Sequence, residues 1–135
     1  MPIPPVIAVV EDDGAMREAL SELFEVFSLS YRAFDRAEAF LAAFAPGRFD
    51  CLVTDLHLPG ISGLELQQRL KALGATIPVI VITSSLDPNH HIRAMQEGAF
   101  AYLTKPFNDK VLINHVTAAL DQASRAHKPD DGAGS

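Results

Sequence analysis

Glu11-Asp12-Asp13, Asp55, Thr83-Ser84 and Lys105-Pro106 each stand at the end of a short apolar run. The runs are Val6 to Val10, Cys51 to Thr54, Val79 to Thr83 and Ala101 to Thr104. If those runs are neighbouring strands, the acids, the hydroxyls and the ammonium meet along one edge. Carboxylates crowded together repel one another and raise each other's pKa unless a cation sits among them. Oxygen-only ligands suit a hard ion such as Mg²⁺, so Glu11, Asp12 and Asp55 are candidate metal ligands. Asp13 precedes Gly14 at the start of a helical pattern and reads better as a helix cap. The proline after Lys105 restricts that lysine to extended geometry, which holds it toward the edge. Lys105, the Thr83 hydroxyl, Mg²⁺ and nearby backbone amides could together satisfy the three oxygens of a bound phosphoryl group.

The elements that must position these groups follow from periodicity. None of the four runs alternates polar and apolar residues, so each is expected to be covered on both faces. Helical spacing links Met16, Leu20, Leu23 and Phe27, then Ala37, Phe40, Leu41 and Phe44, then Leu66, Leu70 and Leu73, and finally Leu112, Val116, Ala119 and Leu120. A less strongly patterned helix is expected from about Asn89 to Glu97, with Ile92 and Met95 inward and Gly98 ending it. A weak strand at Ser30 to Phe34 completes a βαβαβαβαβα order. Strands alternating with crossover helices imply parallel pairing, hence an α/β fold with a five-stranded doubly wound sheet. Ligands of such sheets bind outside the carboxyl ends of the strands, where the residues named above fall.

Composition narrows the function classes. The chain has 135 residues, 48% of them hydrophobic, enough for one core and one domain. Its formal charge is -6 with the signs mixed along the chain, which argues against direct nucleic-acid binding. The one cysteine, Cys51, lies inside an apolar run and is expected to be a buried thiol. No run is long enough to span a membrane, and the start lacks the regions of a signal peptide, so a soluble cytoplasmic protein is the expectation. His57, His90 and His91 lack the spacing of a transition-metal site and are expected to be solvated, while His115 beside the last apolar stripe should be partly buried.

Taken in order, Val9-Val10-Glu11-Asp12, Asp55-Leu56-His57-Leu58-Pro59-Gly60-Ile61-Ser62-Gly63, Val81-Ile82-Thr83-Ser84 and Tyr102-Leu103-Thr104-Lys105-Pro106-Phe107 resemble the receiver domains of two-component response regulators. The resemblance runs from Pro5 to Ala123, with residues 124–135 left as a disordered tail or linker stub. It implies a flavodoxin-like doubly wound (βα)5 three-layer sandwich with strand order 2-1-3-4-5, and a signalling switch rather than a turnover enzyme. Asp55 would be the phosphorylated nucleophile, taking a phosphoryl group from a histidine kinase, a phosphotransfer protein or a small phosphodonor. Asp12 and Asp55 would ligate Mg²⁺ directly, Glu11 through water, and His57 through its backbone carbonyl. Thr83 and Tyr102 would be the switch pair, and the bond between Lys105 and Pro106 would be cis. The signal would leave through the helix near Asn89 to Glu97, the strand Ala101 to Thr104 and the helix Asp109 to Ala123, a surface on which two copies would pair as a homodimer.

The wording of the Thr83-Ser84-Ser85-Leu86-Asp87 loop is most similar to receivers of the nitrogen-fixation regulator type, which precede a helix-turn-helix DNA-binding domain. No such domain follows within these 135 residues. Ser84 and His57 depart from the residues usual at those positions, and should alter phosphorylation and dephosphorylation rates. Two other classes remain open at this point. One is an aspartyl-phosphate phosphatase or phosphotransferase in which His57 stands where a general acid would be needed. The other is a flavodoxin-like binding module without covalent chemistry, which leaves Lys105 and the convergent acids unexplained.

Overall fold

The structure is a computed structural model that describes residues 4–127. Strands and helices alternate as β1 (Val6–Val10), α1 (Gly14–Val26), β2 (Ser30–Phe34), α2 (Ala37–Ala43), β3 (Cys51–Asp55), α3 (Gly63–Ala72), β4 (Val79–Thr83), α4 (Pro88–Gln96), β5 (Ala101–Thr104) and α5 (Asp109–His127). The strands form one parallel sheet in the order β2-β1-β3-β4-β5, as expected. Chain order reverses between β1 and β3, which makes the edge above them the switch point of the sheet.

Two apolar layers explain the unbroken strand hydrophobicity. Ile7, Val9, Val53 and Ile82 point to one face and pack with Leu20 and Phe24 of α1 and Leu112 and Val116 of α5. Ala8, Val10, Leu52 and Val81 point to the other, against Phe40 of α2, Leu66 of α3 and Ala94 of α4. Every residue of β3 and β4 is buried, so both faces must be apolar. At the edge, β2 is half exposed, which accounts for its weak signal. Cys51 is buried, and burial first, with the Asp50 charge second, pushes its thiol up to about 12. Among the described residues no helix is long and apolar enough to cross a membrane.

Helix starts are capped on the side where the strands end. Asp13 accepts from the Ala15 N–H at 3.0 Å, Ser62 from Glu65 at 3.1 Å and Asp87 from Asn89 at 2.9 Å. Gly63 opens α3 flush against β3: a Cβ there would run into the Asp55 carbonyl oxygen and stand 2.8 Å from the Leu56 Cα. Only a residue without a side chain lets α3 start there.

Four expectations are corrected. Phe27 is exposed, because α1 stops at Val26 and the inward position of the last turn belongs to Phe24. Leu73 is likewise exposed at the C-cap of α3. Ile92 and Met95 are 53% and 43% exposed, and α4 instead rests on Ala94. A small side chain lets the α4 backbone approach α3, where the Gln67 amide donates to the Ala94 carbonyl at 3.1 Å. Finally, α5 continues four residues past its expected end at Ala123, consistent with the absence of a glycine or proline before Pro129. The rest of the expected tail, residues 128–135, lies outside the described residues.

Candidate functional site

Register carries the reactive side chains to one edge. Glu11 continues β1, its N–H donating to the Phe34 carbonyl at 3.0 Å, and Asp55 closes β3. On the other side of Asp55, Thr83 ends β4 and its carbonyl accepts from the Lys105 N–H at 2.7 Å. The peptide bond from Lys105 to Pro106 is cis, as expected.

The side chains of three strand ends then meet. The Lys105 ammonium donates to Glu11 Oε1 at 2.8 Å and to Asp55 Oδ2 at 2.9 Å. Glu11 is fully buried, Asp55 nearly so, and the Lys105 side chain retains 16% exposure. The second oxygens are also held: Glu11 Oε2 accepts from the Asp13 N–H at 3.1 Å, and Asp55 Oδ1 from the His57 N–H at 3.0 Å. Asp12 is exposed beside them. One carboxylate oxygen each from Glu11, Asp12 and Asp55 lie within 4.8 Å of one another, an all-oxygen set open on the Asp12 side that fits a hard divalent cation. His57 brings its backbone to the same place, whereas its ring is directed at α4.

Burial and pairing compete here. Desolvation raises the Glu11 carboxyl above its ordinary value, outweighing the Lys105 and Asp13 hydrogen bonds, and the Asp55 charge adds to the rise. For Lys105 desolvation pulls downward, but the hydrogen bonds and charges of Glu11 and Asp55 together overcome it and leave the ammonium above its ordinary value. The lysine therefore stays charged, a fixed positive point between two acids, and can neutralise charge that builds up on oxygens placed between them.

Thr83 is fully buried, its hydroxyl accepting from the Ser85 N–H at 3.1 Å. Tyr102 is half-buried against the α2–α3–α4 layer, and its hydroxyl is buried without a hydrogen-bond partner among the described residues. The histidines expected to be merely solvated have partners. The His57 and His90 rings meet edge-on with centroids 5.2 Å apart, and His91 stacks on Tyr102 at 4.4 Å with 8° between the planes. His115 is half-buried, as expected. Sequence reasoning missed Arg17, whose guanidinium donates to the Glu11 carbonyl at 2.8 Å and fixes the loop carrying the acids. Its position one turn into α1 was the available signal, since a long cation there can reach back to the strand end.

Comparison with known proteins agrees with this geometry. The family profile described as the response regulator receiver domain matches residues 7–117. Nodulation protein W of Bradyrhizobium diazoefficiens is 42% identical over 117 residues, covering 87% of this chain and 52% of that protein. Transcriptional regulatory protein FixJ of Azorhizobium caulinodans is 41% identical over 125 residues, covering 93% and 59%. The chain thus spans between half and three-fifths of the length of these two relatives. Among solved structures, FixJ-N superposes with a TM-score of 0.81 at 36% identity, covering 89% of this chain and 96% of that one. The response regulator StyR gives 0.86 at 35% identity, covering 92% and 63%. With the family profile matching residues 7–117 and relatives more than 40% identical over most of its length, this chain belongs to the receiver domain family of two-component response regulators.

Proposed function

We propose that Asp55 is the phosphoacceptor of this receiver domain and that Lys105, Thr83 and a Mg²⁺ held by Glu11, Asp12, Asp55 and the His57 carbonyl assist the transfer. The observation that carries the reading is the Lys105 ammonium held 2.8 Å from Glu11 and 2.9 Å from Asp55, beside carboxylate oxygens gathered within 4.8 Å. An Asp55 oxygen attacks the phosphorus of a phosphohistidine on a histidine kinase or phosphotransfer protein. The phosphorus–nitrogen bond breaks, the imidazole leaves with a proton, and Asp55 becomes an acyl phosphate. Bound Mg²⁺ would neutralise negative charge shared by the carboxylates and the phosphoryl oxygens. Lys105 keeps its charge in the buried site and holds one phosphoryl oxygen, while the Thr83 hydroxyl takes another. The same groups give the domain its own slow self-phosphorylation by small phosphodonors and its own loss of the phosphoryl group to water.

Phosphorylation then shifts Thr83 and Tyr102 and changes the α4–β5–α5 surface. Leu86, Ile92 and Met95 around α4, with Val111 of α5, are exposed apolar side chains on that side, which supports a homodimer forming there. Relatives named as regulatory proteins support a transcriptional output when the domain is joined to a DNA-binding module, the net charge of -6 leaving DNA contact to that module. A cytoplasmic setting suits a partner kinase that uses ATP. The receiver domain is taken as residues 5–123.

Incubation with acetyl phosphate and Mg²⁺ followed by intact-mass measurement tests the assignment. One phosphoryl mass is expected, absent with a metal chelator and absent in Asp55→Ala. Uptake that survives Asp55→Ala, or sustained turnover of a phosphomonoester, would overturn it.

A further inference from the structure

The β4–α4 loop carries a chain of contacts that links the acceptor strand to the switch residue by a second route. From Thr83, the hydroxyl accepts the Ser85 N–H at 3.1 Å. The Ser85 hydroxyl is 2.6 Å from His90 Nδ1 and also accepts the Asp87 N–H at 3.2 Å. On its far side His90 Nε2 lies 4.0 Å from Asp87 Oδ2. One tautomer suits the Ser85 contact: with the hydrogen on Nε2, Nδ1 accepts from the Ser85 O–H, and the Asp87 carboxylate stands near Nε2 without bonding to it. The His90 ring then meets His57 edge-on at 5.2 Å, and the His57 N–H donates to Asp55 Oδ1 at 3.0 Å. The next residue, His91, is stacked on Tyr102 at 4.4 Å. Adjacent histidines in the first turn of α4 are thus attached to opposite ends of the switch.

We propose that His90 is a positioning residue that, through Ser85, holds the Thr83 hydroxyl in the unphosphorylated arrangement, and that His91 carries the movement of α4 to Tyr102 when this hold is released. The proposal rests on the reading of Asp55 as phosphoacceptor. For the Thr83 hydroxyl to serve a phosphoryl oxygen it must turn away from the Ser85 N–H. That N–H is fixed by the His90 and Asp87 contacts to the Ser85 side chain, so the loop resists the turn. Releasing it costs roughly one net hydrogen bond, a bias of about two- to tenfold on the switch. Space for the movement exists, because Leu56, His57, Ser62, Leu64, His90 and Arg93 line a cavity of about 150 Å³ beside α4.

Amide spectra of the full chain and phosphorylation time courses with acetyl phosphate and Mg²⁺ test this together. In His90→Leu the Ser85 amide proton should move upfield before any phosphorylation, and the initial rate of phosphoryl uptake should rise about two- to tenfold. His90→Asn, whose side-chain oxygen can stand where Nδ1 stood, should restore both. Ser85→Ala should reproduce the rate increase through a different atom. His91→Leu should leave the Ser85 amide in place and abolish the phosphorylation-linked shift of the Tyr102 ring signals. A Ser85 amide or uptake rate unchanged in His90→Leu overturns the proposal, as does a change that His90→Asn fails to reverse. The amide shift is read on unphosphorylated protein, so it judges the hold even if wild type takes up no phosphoryl group, an outcome that would defeat the acceptor assignment instead.

Discussion

Lys105→Met removes the ammonium and keeps much of the side chain's length and apolar stem, leaving Glu11 and Asp55 facing each other with no cation between them. The ammonium makes two charge-assisted hydrogen bonds, at 2.8 and 2.9 Å. Bonds of this kind contribute about 1.5–3 kcal/mol each, and breaking a buried pair by removing one partner costs about 3–5 kcal/mol. The Lys105 side chain is still 16% exposed, so water can enter and dilute the repulsion. An expected loss of about 2–4 kcal/mol follows, equivalent to a urea midpoint lowered by about 1–2 M.

The loss should depend on pH, with a sign set by Glu11. Its folded pKa lies above its unfolded value because burial favours the neutral acid. Between the two values the native state binds more protons than the unfolded state, so stability falls as pH rises through that window. Removing Lys105 deletes two influences that lower this pKa, its hydrogen bond and its charge, and extends the window upward. Urea titrations of wild type and Lys105→Met at about pH 5 and about pH 7.5, with chelator or with Mg²⁺, provide the assay. The deficit should be larger at the higher pH than at the lower one, and reduced by Mg²⁺, which restores positive charge among the acids. Equal deficits at both pH values, untouched by Mg²⁺, would refute the electrostatic account and assign the lysine a packing role.

Asp12→Ala takes one oxygen from the exposed side of the acid cluster, and calorimetry should show Mg²⁺ binding weakened by about tenfold or more with urea stability little changed. Gly63→Ala drives a methyl group into the Asp55 carbonyl and against the Leu56 Cα. Thermal denaturation should show a loss of about 1–3 kcal/mol, with phosphoryl uptake falling because the end of β3 is displaced. Cys51, buried and with its thiol pushed up to about 12, should resist thiol reagents at neutral pH until urea unfolds the chain, and labelling followed by mass measurement checks this.

The site was legible in sequence because a doubly wound sheet converts position into proximity. A residue just past an apolar run in such a fold has little choice of edge, so Glu11, Asp55, Thr83 and Lys105 could be placed together from type and order alone. The fold was legible for the same reason, since strands buried on both faces carry the strongest pattern and make up the centre of this sheet. Periodicity misled where an element stops. Phe27 and Leu73 continue their stripes by spacing, yet each falls at a C-cap, one residue past the end of its helix, and is exposed there.

What sequence could not supply was the identity of partners across loops, and α4 shows why. Hydrophobicity nominated Ile92 and Met95 for burial, but α4 rests on α3 through the small Ala94, whose carbonyl accepts from the Gln67 side-chain amide. Turning the helix onto Ala94 exposes the two larger side chains, and within the same first turn it sends His90 toward the Ser85 hydroxyl and His91 onto Tyr102. One small residue at the α3–α4 contact thereby bears both on which apolar surface faces solvent and on which imidazole meets the Ser85 hydroxyl. A bulkier residue at position 94 would push α4 outward, and it should weaken the His90–Ser85 and His91–Tyr102 contacts together, because both hang from the same turn of helix.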